Sequence, residues 1–248
     1  MTPSLLDLVQ RYDRPGPRYT GYPMPPAWQE HFPQEGAVEA LARAGVGHLQ
    51  VVDHDVVNPT NLNRQLFALR STLGRPKVEV ARERILDINS DAQVDARHRF
   101  INGDSVAELL DPLPDVVVDA IDSLNAKVAL MEAAYQLDLP TVSAMGAGGK
   151  VRGDLIQAAD LEDTWNCPLA RLVRKRLHGR GIHRGITCIF TPEPCRNDLP
   201  PRPEDIDAHV GPGRKRTPLG TLSYMPALVG LRVAEEVIRK LLALTPLS

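Results

Sequence analysis

Two short segments concentrate side chains suited to binding a phosphorylated substrate. The first runs Asp53, Asp55, Asn58, Asn61, Arg64 and Gln65, with Lys77 a short loop further on. A carboxylate at the end of a strand can accept both hydroxyls of a ribose, while arginine and lysine neutralise phosphate oxygens. The second is Asp119-Ala-Ile-Asp122-Ser123, where a carboxylate at a strand tip can hold Mg²⁺ beside those phosphates. Together they are the parts of an ATP site. A plainer reading stays open, in which Arg64, Asn61 and Lys77 satisfy loop carbonyls and surface charges.

Such residues act together only if strands and helices bring them to one place. From Gly36 onward the sequence alternates between the two. Ala37–Ala44 reads as a short helix closed by Gly45 and Gly47, and His48–Asp53 as a strand. Lys77–Asn89 carries Val78, Val80, Ile85 and Ile88 among charges, as an amphipathic helix does, after the breakers Gly74 and Pro76. Asp115–Ala120 is a near-continuous apolar run, the mark of a strand buried on both faces. Ala126–Leu137 reads as a helix, and Pro140–Ala144 as a strand leading into Gly146, Gly148 and Gly149. This alternation predicts a doubly wound, mostly parallel, Rossmann-like α/β sheet. Ligands in such sheets lie at the carboxyl ends of the strands, so Asp53 and Asp122 should share a cleft. Beyond residue 150 come a basic run from Arg171 to Arg184, a strand-like Gly185–Thr191, a proline-rich loop over Pro192–Pro218 and a closing helix over Leu222–Leu244.

Composition sets the bounds. The chain has 248 residues, 43% apolar and 24% charged, enough for one large core. A formal net charge of -2 gives no global attraction to nucleic acid or membrane, so polyanion binding would need a local basic patch. Cys167, Cys188 and Cys195 form no C-x-x-C pair and no disulfide framework, which fits a reducing cytoplasm. No apolar run reaches the length of a membrane span, and the proline-rich start does not read as a signal peptide.

The stretches VVDHDVVNPTNLNRQLFAL, GRPKVEVARERILDIN and VVVDAIDS, in that order, resemble the adenylating domain of the ubiquitin-activating superfamily, which includes the ThiF/MoeB-like sulfur-carrier activators. The resemblance implies that Asp53, Asn61, Gln65, Lys77 and Ser123 bind ATP, that Arg64 and Asp122 are catalytic, and that Asp122 also holds Mg²⁺. It further implies a homodimer. The second half, with VSAMGAGGKVRGDLIQAADLEDTWNCPLARLVRKRLHGRGI, ITCIFTPEP and RKRTPLGTLSYMPALVG, resembles the bacterial tRNA threonylcarbamoyladenosine dehydratases. That resemblance implies adenylation of the threonylcarbamoyl carboxylate on a tRNA adenosine, then intramolecular attack that expels AMP. Two alternatives stand beside it: a non-catalytic remnant keeping the fold and its dimer or tRNA surface, and a ThiF/MoeB-type sulfur-carrier adenylyltransferase.

The start of the chain departs from this pattern. The superfamily opens with a strand and a glycine-rich loop that cradles the triphosphate at a helix N-terminus. Here Glu35 and Gly36 stand where that loop should end. Residues 1–35 instead hold Pro3, Pro15, Pro17, Pro23, Pro25, Pro26 and Pro33, and no paired central strand can run through Pro15–Pro26. They read as an exposed arm, with a short helix at most over residues 4–11, and LVQRYDRPGPRYTGYPMPPAWQEHF resembles the N-terminus of oxygen-independent coproporphyrinogen III oxidase without that enzyme's cysteine triplet. Residues 36–248 form the adenylating-type domain, with 150–248 its substrate part. The expectation is a fold lacking its first strand and glycine-rich loop, with weak ATP binding in consequence.

Cys188 has two readings, a thiolate activated by His183 and Arg184 or a small buried hydrophobe. Arg171, Arg174, Lys175, Arg176, Arg180 and Arg184 could hold tRNA phosphates or form a solvated helix face. Arg214, Lys215 and Arg216 pose the same choice.

Overall fold

A computed structural model describes residues 27–30, 35–103, 105–195 and 221–242. The expected helix over residues 4–11, the cluster Arg214, Lys215, Arg216 and most of the loop to Pro218 lie outside them.

Among the described residues, seven strands form one sheet that organises the fold. Its strands are β1 (Ala27–Glu30), β2 (His48–Asp53), β3 (Gln93–His98), β4 (Val117–Asp119), β5 (Thr141–Ala144), β6 (Gln157–Asp160) and β7 (Ile186–Phe190), in the spatial order β3-β2-β1-β4-β5-β7-β6. All neighbours are parallel except β6, which runs antiparallel to β7 at one edge. Order reverses on either side of β1, as in a doubly wound fold.

Alternate residues of each strand face opposite layers, and the core is partitioned accordingly. Leu49 and Val51 of β2, and Val116 and Val118 around β4, pack with Ala37, Val38 and Leu41 of α1 (Glu35–Arg43), Val78, Ala81 and Ile85 of α2 (Lys77–Ile88), and Met225, Val229 and Val233 of α6 (Tyr224–Leu241). Val52 and Val117 point the other way, to Val106 and Leu109 of α3 (Val106–Leu109) and Ala126, Leu130 and Ala134 of α4 (Leu124–Gln136). A third cluster joins Val128 and Met131 of α4 to α5 (Pro168–His178) and β7. Each fully buried aliphatic side chain contributes roughly 1.5 to 3 kcal/mol, so these three clusters hold the layers to the sheet.

The expected loss of the first strand is corrected by β1. Ala27–Glu30 lies in the middle of the sheet, with Ala27 opposite Leu49, Trp28 opposite Gln50 and Val117, and Glu30 opposite Val51 after an irregularity in register. The strand begins at Ala27, immediately after Pro26, and contains no proline. A gap between β2 and β4 would present two rows of unpaired backbone donors and acceptors. Any proline-free extended segment can satisfy these through its own backbone. The glycine-rich loop has no counterpart in composition, since no glycine stands between Ala27 and Glu35.

β3 and β6 were not evident from the sequence. Both are edge strands with little apolar signal: QAAD is half-buried throughout, and QVDARH is half-buried between an exposed Gln93 and an exposed His98. The C-terminal helix follows its expected span closely, but packs on α1 as well as on the sheet. A Cβ on Gly230 would sit 2.8 Å from the Ala37 nitrogen, and one on Gly36 3.0 Å from the Ala227 carbonyl oxygen. Glycine at these two positions lets the helices cross at backbone contact, and this brings Pro226 and Ala227 beside the start of α1.

Candidate functional site

β2 delivers Asp53 to the carboxyl edge of the sheet with 0% exposure. Its Oδ1 accepts the Asp55 N–H at 2.8 Å, while its Oδ2 has no hydrogen-bond partner among the described residues. A buried acceptor left without a donor costs about 1 to 3 kcal/mol, and a donor brought by a ligand would offset that cost. A ribose hydroxyl is a group of that kind. Lys77, the first residue of α2, is only 3% exposed; its backbone N–H donates to the Asp55 carbonyl at 3.0 Å and its Nζ lies 2.8 Å from Asp55 Oδ2. Residues 22 positions apart are thus brought to one strand end, as their types suggested. Asp55 is half exposed, so this pair is solvated on one side and weak enough to yield Lys77 to another anion.

The loop after β2 bears out part of the plainer reading. Asn61 Oδ1 accepts the Asn58 N–H at 3.1 Å and Asn58 Oδ1 accepts the Thr60 N–H at 2.9 Å, so the two asparagines cap a short 3₁₀ turn. Arg64 Nη1 donates to the Thr60 carbonyl at 2.8 Å and to Asn63 Oδ1 at 3.0 Å. Arg64 nonetheless lines a small cleft with Glu35, Gly36, Leu66, Pro226 and Ala227. Gln65 is buried, and its Oε1, like Asp53 Oδ2, has no partner among the described residues.

The second segment divides differently from expectation. Asp119, not Asp122, is the carboxylate sealed at the tip of β4. Its Oδ2 lies 2.7 Å from Lys127 Nζ and accepts Ser143 Oγ at 2.6 Å, and its Oδ1 accepts the Ile121 N–H at 3.1 Å. Lys127 also donates to the carbonyls of Ile121 and Ala144, at 3.2 and 2.8 Å. Asp122 is exposed just beyond this network, where a soluble ligand or ion can reach it. Ser123 is half-buried and begins α4 without a side-chain capping bond. Gly146, Gly148 and Gly149 follow β5; a Cβ on Gly146 would meet only Leu169, at 4.0 Å, so no crowding dictates glycine there.

Two charged residues escaped the sequence reading. Lys127 interrupts the apolar face of α4, and a lysine at such a position implies a buried counter-charge, which was a usable signal. Glu35 carried no such signal. It is the first residue of α1, 2% exposed, and accepts the Phe67 N–H at 2.6 Å. Burial pushes its carboxyl up to about 7, with nearby Asp53 adding to the rise and the Phe67 N–H, Lys77 and Arg64 opposing it.

Cys188 sits wholly buried on β7, and burial pushes its thiol far above the ordinary range. It is a small core residue and no activated nucleophile. The basic run becomes α5 and the turn after it, with most of its charge bound inside the chain. Arg174 donates to the carbonyls of Leu161 and Thr164, Arg176 to Asn125, and Arg180 and Arg184 pair with Glu132 and Asp163. Arg171 and Lys175 are exposed and take part in no ion pair among the described residues.

A doubly wound sheet with the buried Asp53 at the end of β2, and Lys77 paired with Asp55 just beyond it, defines the class as a Rossmann-like α/β protein. The ThiF family pattern matches residues 36–247, and the chain belongs to the ThiF family. It is 36% identical over 209 residues to the tRNA threonylcarbamoyladenosine dehydratase of Bacillus subtilis, covering 83% of this chain and 82% of that one. Its fold is similar to that of the Escherichia coli tRNA N6-threonylcarbamoyladenosine dehydratase in complex with ATP, with a TM-score of 0.76 at 31% identity, over 88% of this chain and 86% of the other. A shorter likeness, 38% identity over 115 residues, links it to the adenylyltransferase and sulfurtransferase MOCS3 of Culex quinquefasciatus, covering 46% of this chain and 26% of that protein.

Proposed function

We propose that the chain is an ATP-dependent tRNA threonylcarbamoyladenosine dehydratase. The observation that carries the reading is Asp53 Oδ2, a buried acceptor at the carboxyl edge of the sheet with no donor among the described residues, two positions before the Asp55 that pairs with Lys77. The similarity to dehydratases over more than four fifths of both chains supports the same reading. Asp53 takes the ribose hydroxyls, with Asn61 and Gln65 as polar neighbours. Lys77 and Arg64 face the phosphates. Asp122 holds Mg²⁺ on the phosphate side, and Ser123 lies next to it.

In the reaction, a carboxylate oxygen of the threonylcarbamoyl group attacks the α-phosphorus of ATP and pyrophosphate leaves. An atom of the same group then attacks the activated carbonyl, the ring closes, and AMP departs, so the modified base loses one water overall. The role left to the chain is to hold both ends of one molecule in reach and to neutralise charge on the transferred phosphorus. No enzyme thiol is needed, in keeping with the buried Cys188.

Incubating the chain with Mg·ATP and threonylcarbamoyl-modified tRNA, then weighing the nucleoside by mass spectrometry, tests the reading. Loss of one water that disappears in Asp122→Ala supports it; unchanged nucleoside with ATP bound argues for the remnant. Adenylation of a carrier protein's C-terminal glycine in place of tRNA would favour the sulfur-carrier activator, to which the MOCS3 likeness points.

The reading also makes the protein a cytoplasmic homodimer. Leu62, Leu66 and Leu69 of the loop after β2, and Leu228 and Leu231 of α6, are all exposed, and Leu66 shares a cleft with Pro226 and Ala227 of that helix. Exposed apolar side chains from two adjoining elements suit a subunit contact; sedimentation velocity tests it. No described helix is long and apolar enough to cross a membrane.

A further inference from the structure

A helix N-terminus offers unpaired backbone N–H groups and the positive end of its dipole, which suits an anion. At the start of α1 the chain supplies one itself. Glu35 is almost fully buried there, is held by the Phe67 N–H at 2.6 Å, and lines the same cleft as Arg64. The charged groups around it come from three elements: Lys77 from α2, Arg64 from the loop after β2, and Asp53 from the end of β2. α6 closes the cleft with Pro226 and Ala227, which carry no charge. The two cations proposed to meet the phosphates of a nucleotide therefore already lie in the field of an internal carboxylate.

We propose that Glu35 sets the charge of the ligand this site accepts, its carboxylate standing where the outer phosphates of a triphosphate need Lys77, Arg64 and the start of α1, so that ATP is disfavoured relative to AMP while Glu35 is ionised. The inference rests on the reading of Asp53 and Lys77 as a nucleotide site. Like charges set side by side in a partly desolvated cleft repel, and the penalty falls on the outer phosphates, which AMP lacks. It also makes triphosphate binding dependent on pH, because a carboxyl pushed up to about 7 is neutralised within the range in which nucleotides are handled.

The test is calorimetric titration of the full chain and of Glu35→Gln with Mg·ATP, AMP and inorganic tripolyphosphate at pH 6 and pH 8. The glutamine keeps an oxygen to accept the Phe67 N–H. At pH 8 the variant should bind ATP about tenfold more tightly or better, with AMP altered less than about threefold. The unaltered chain should gain ATP affinity from pH 8 to pH 6, and the variant should lose most of that gain. Equal ATP affinity in both proteins overturns the inference and leaves the nucleotide site standing. Tripolyphosphate binding gained by the variant with no nucleotide bound by either protein upholds the role of Glu35 and removes the nucleotide reading. No gain for either phosphate ligand, or a flat pH profile in the unaltered chain, overturns it whether or not the variant folds well.

Discussion

Lys127 Nζ lies 2.7 Å from Asp119 Oδ2, and both side chains are fully buried. Ser143 Oγ and the Ile121 N–H complete the shell of the carboxylate, and two carbonyls complete that of the ammonium. The pair ties α4 to the ends of β4 and β5. It therefore holds the loop that carries Asp122. Removing one partner strands the other charge in the core, so Lys127→Met should destabilise by about 3 to 5 kcal/mol. Replacing both, as Asp119→Leu with Lys127→Met, should recover much of that loss. Urea titrations of the three proteins decide; a single variant within about 1 kcal/mol of the parent would show the pair to be structurally idle.

Asp53 should behave in the opposite manner. Asn at this position can still accept the Asp55 N–H, while the acceptor oxygen that faces no donor is exchanged for an amide. Asp53→Asn is expected to leave thermal stability unchanged or raised, and to weaken ATP by roughly ten- to a hundredfold, the worth of hydrogen bonds to a charged acceptor. Calorimetry and a melting curve on one preparation separate the two effects. A loss of stability with unaltered ATP affinity would make Asp53 a structural residue.

Glu35 predicts a pH-dependent stability. Its carboxyl rises from 4.5 in the unfolded chain to about 7 in the folded one. The contribution of the neutral group is fully present below 4.5 and is lost as pH climbs through about 7. Glu35→Gln, which stays neutral throughout, should match the parent near pH 4 and exceed it at pH 8 by up to about 3 kcal/mol. Denaturant midpoints across that range check the sign; a difference that does not widen with pH contradicts it.

The basic helix α5 divides into two sets. Arg174→Ala removes bonds to the carbonyls of Leu161 and Thr164 and should lower stability by about 1 to 3 kcal/mol through the acceptors left behind. Arg171→Glu with Lys175→Glu touches no such bond and should leave the melting curve in place. If tRNA lies along this helix, that double variant weakens binding and flattens its salt dependence, which filter binding at several salt concentrations reads directly. Unchanged affinity and slope would move the tRNA surface elsewhere.

Much of this organisation was legible because it follows from local chemistry. DVVVDA could hardly be anything but a buried strand, and Asp53 at the end of HLQVVD was assigned to the sheet edge where it lies. Lys77 was grouped with it from residue type and spacing. β6 escaped because QAAD carries no apolar alternation, and β3 because the alternation of QVDARH rests on only Val94 and Ala96, both partly buried at an edge. Asn61 and Arg64 show the converse: their types suit phosphate and ribose, yet in the fold the bonds they make serve their own loop.

The sequence by itself determined the class of fold, the order of its main elements and the identity of the carboxylate and lysine at the end of β2, since apolar period and residue type act over a few positions. Only the tertiary structure decided how the centre of the sheet is filled. Ala27–Glu30 is placed there by the backbone hydrogen-bonding demand of β2 and β4. The same holds for the two buried charges. Asp119 meets Lys127, and Glu35 comes into the field of Lys77 and Arg64, through the packing of helices against strand ends. Burial and charge at a point in space depend on every element that surrounds it, and no run of residues encodes them alone.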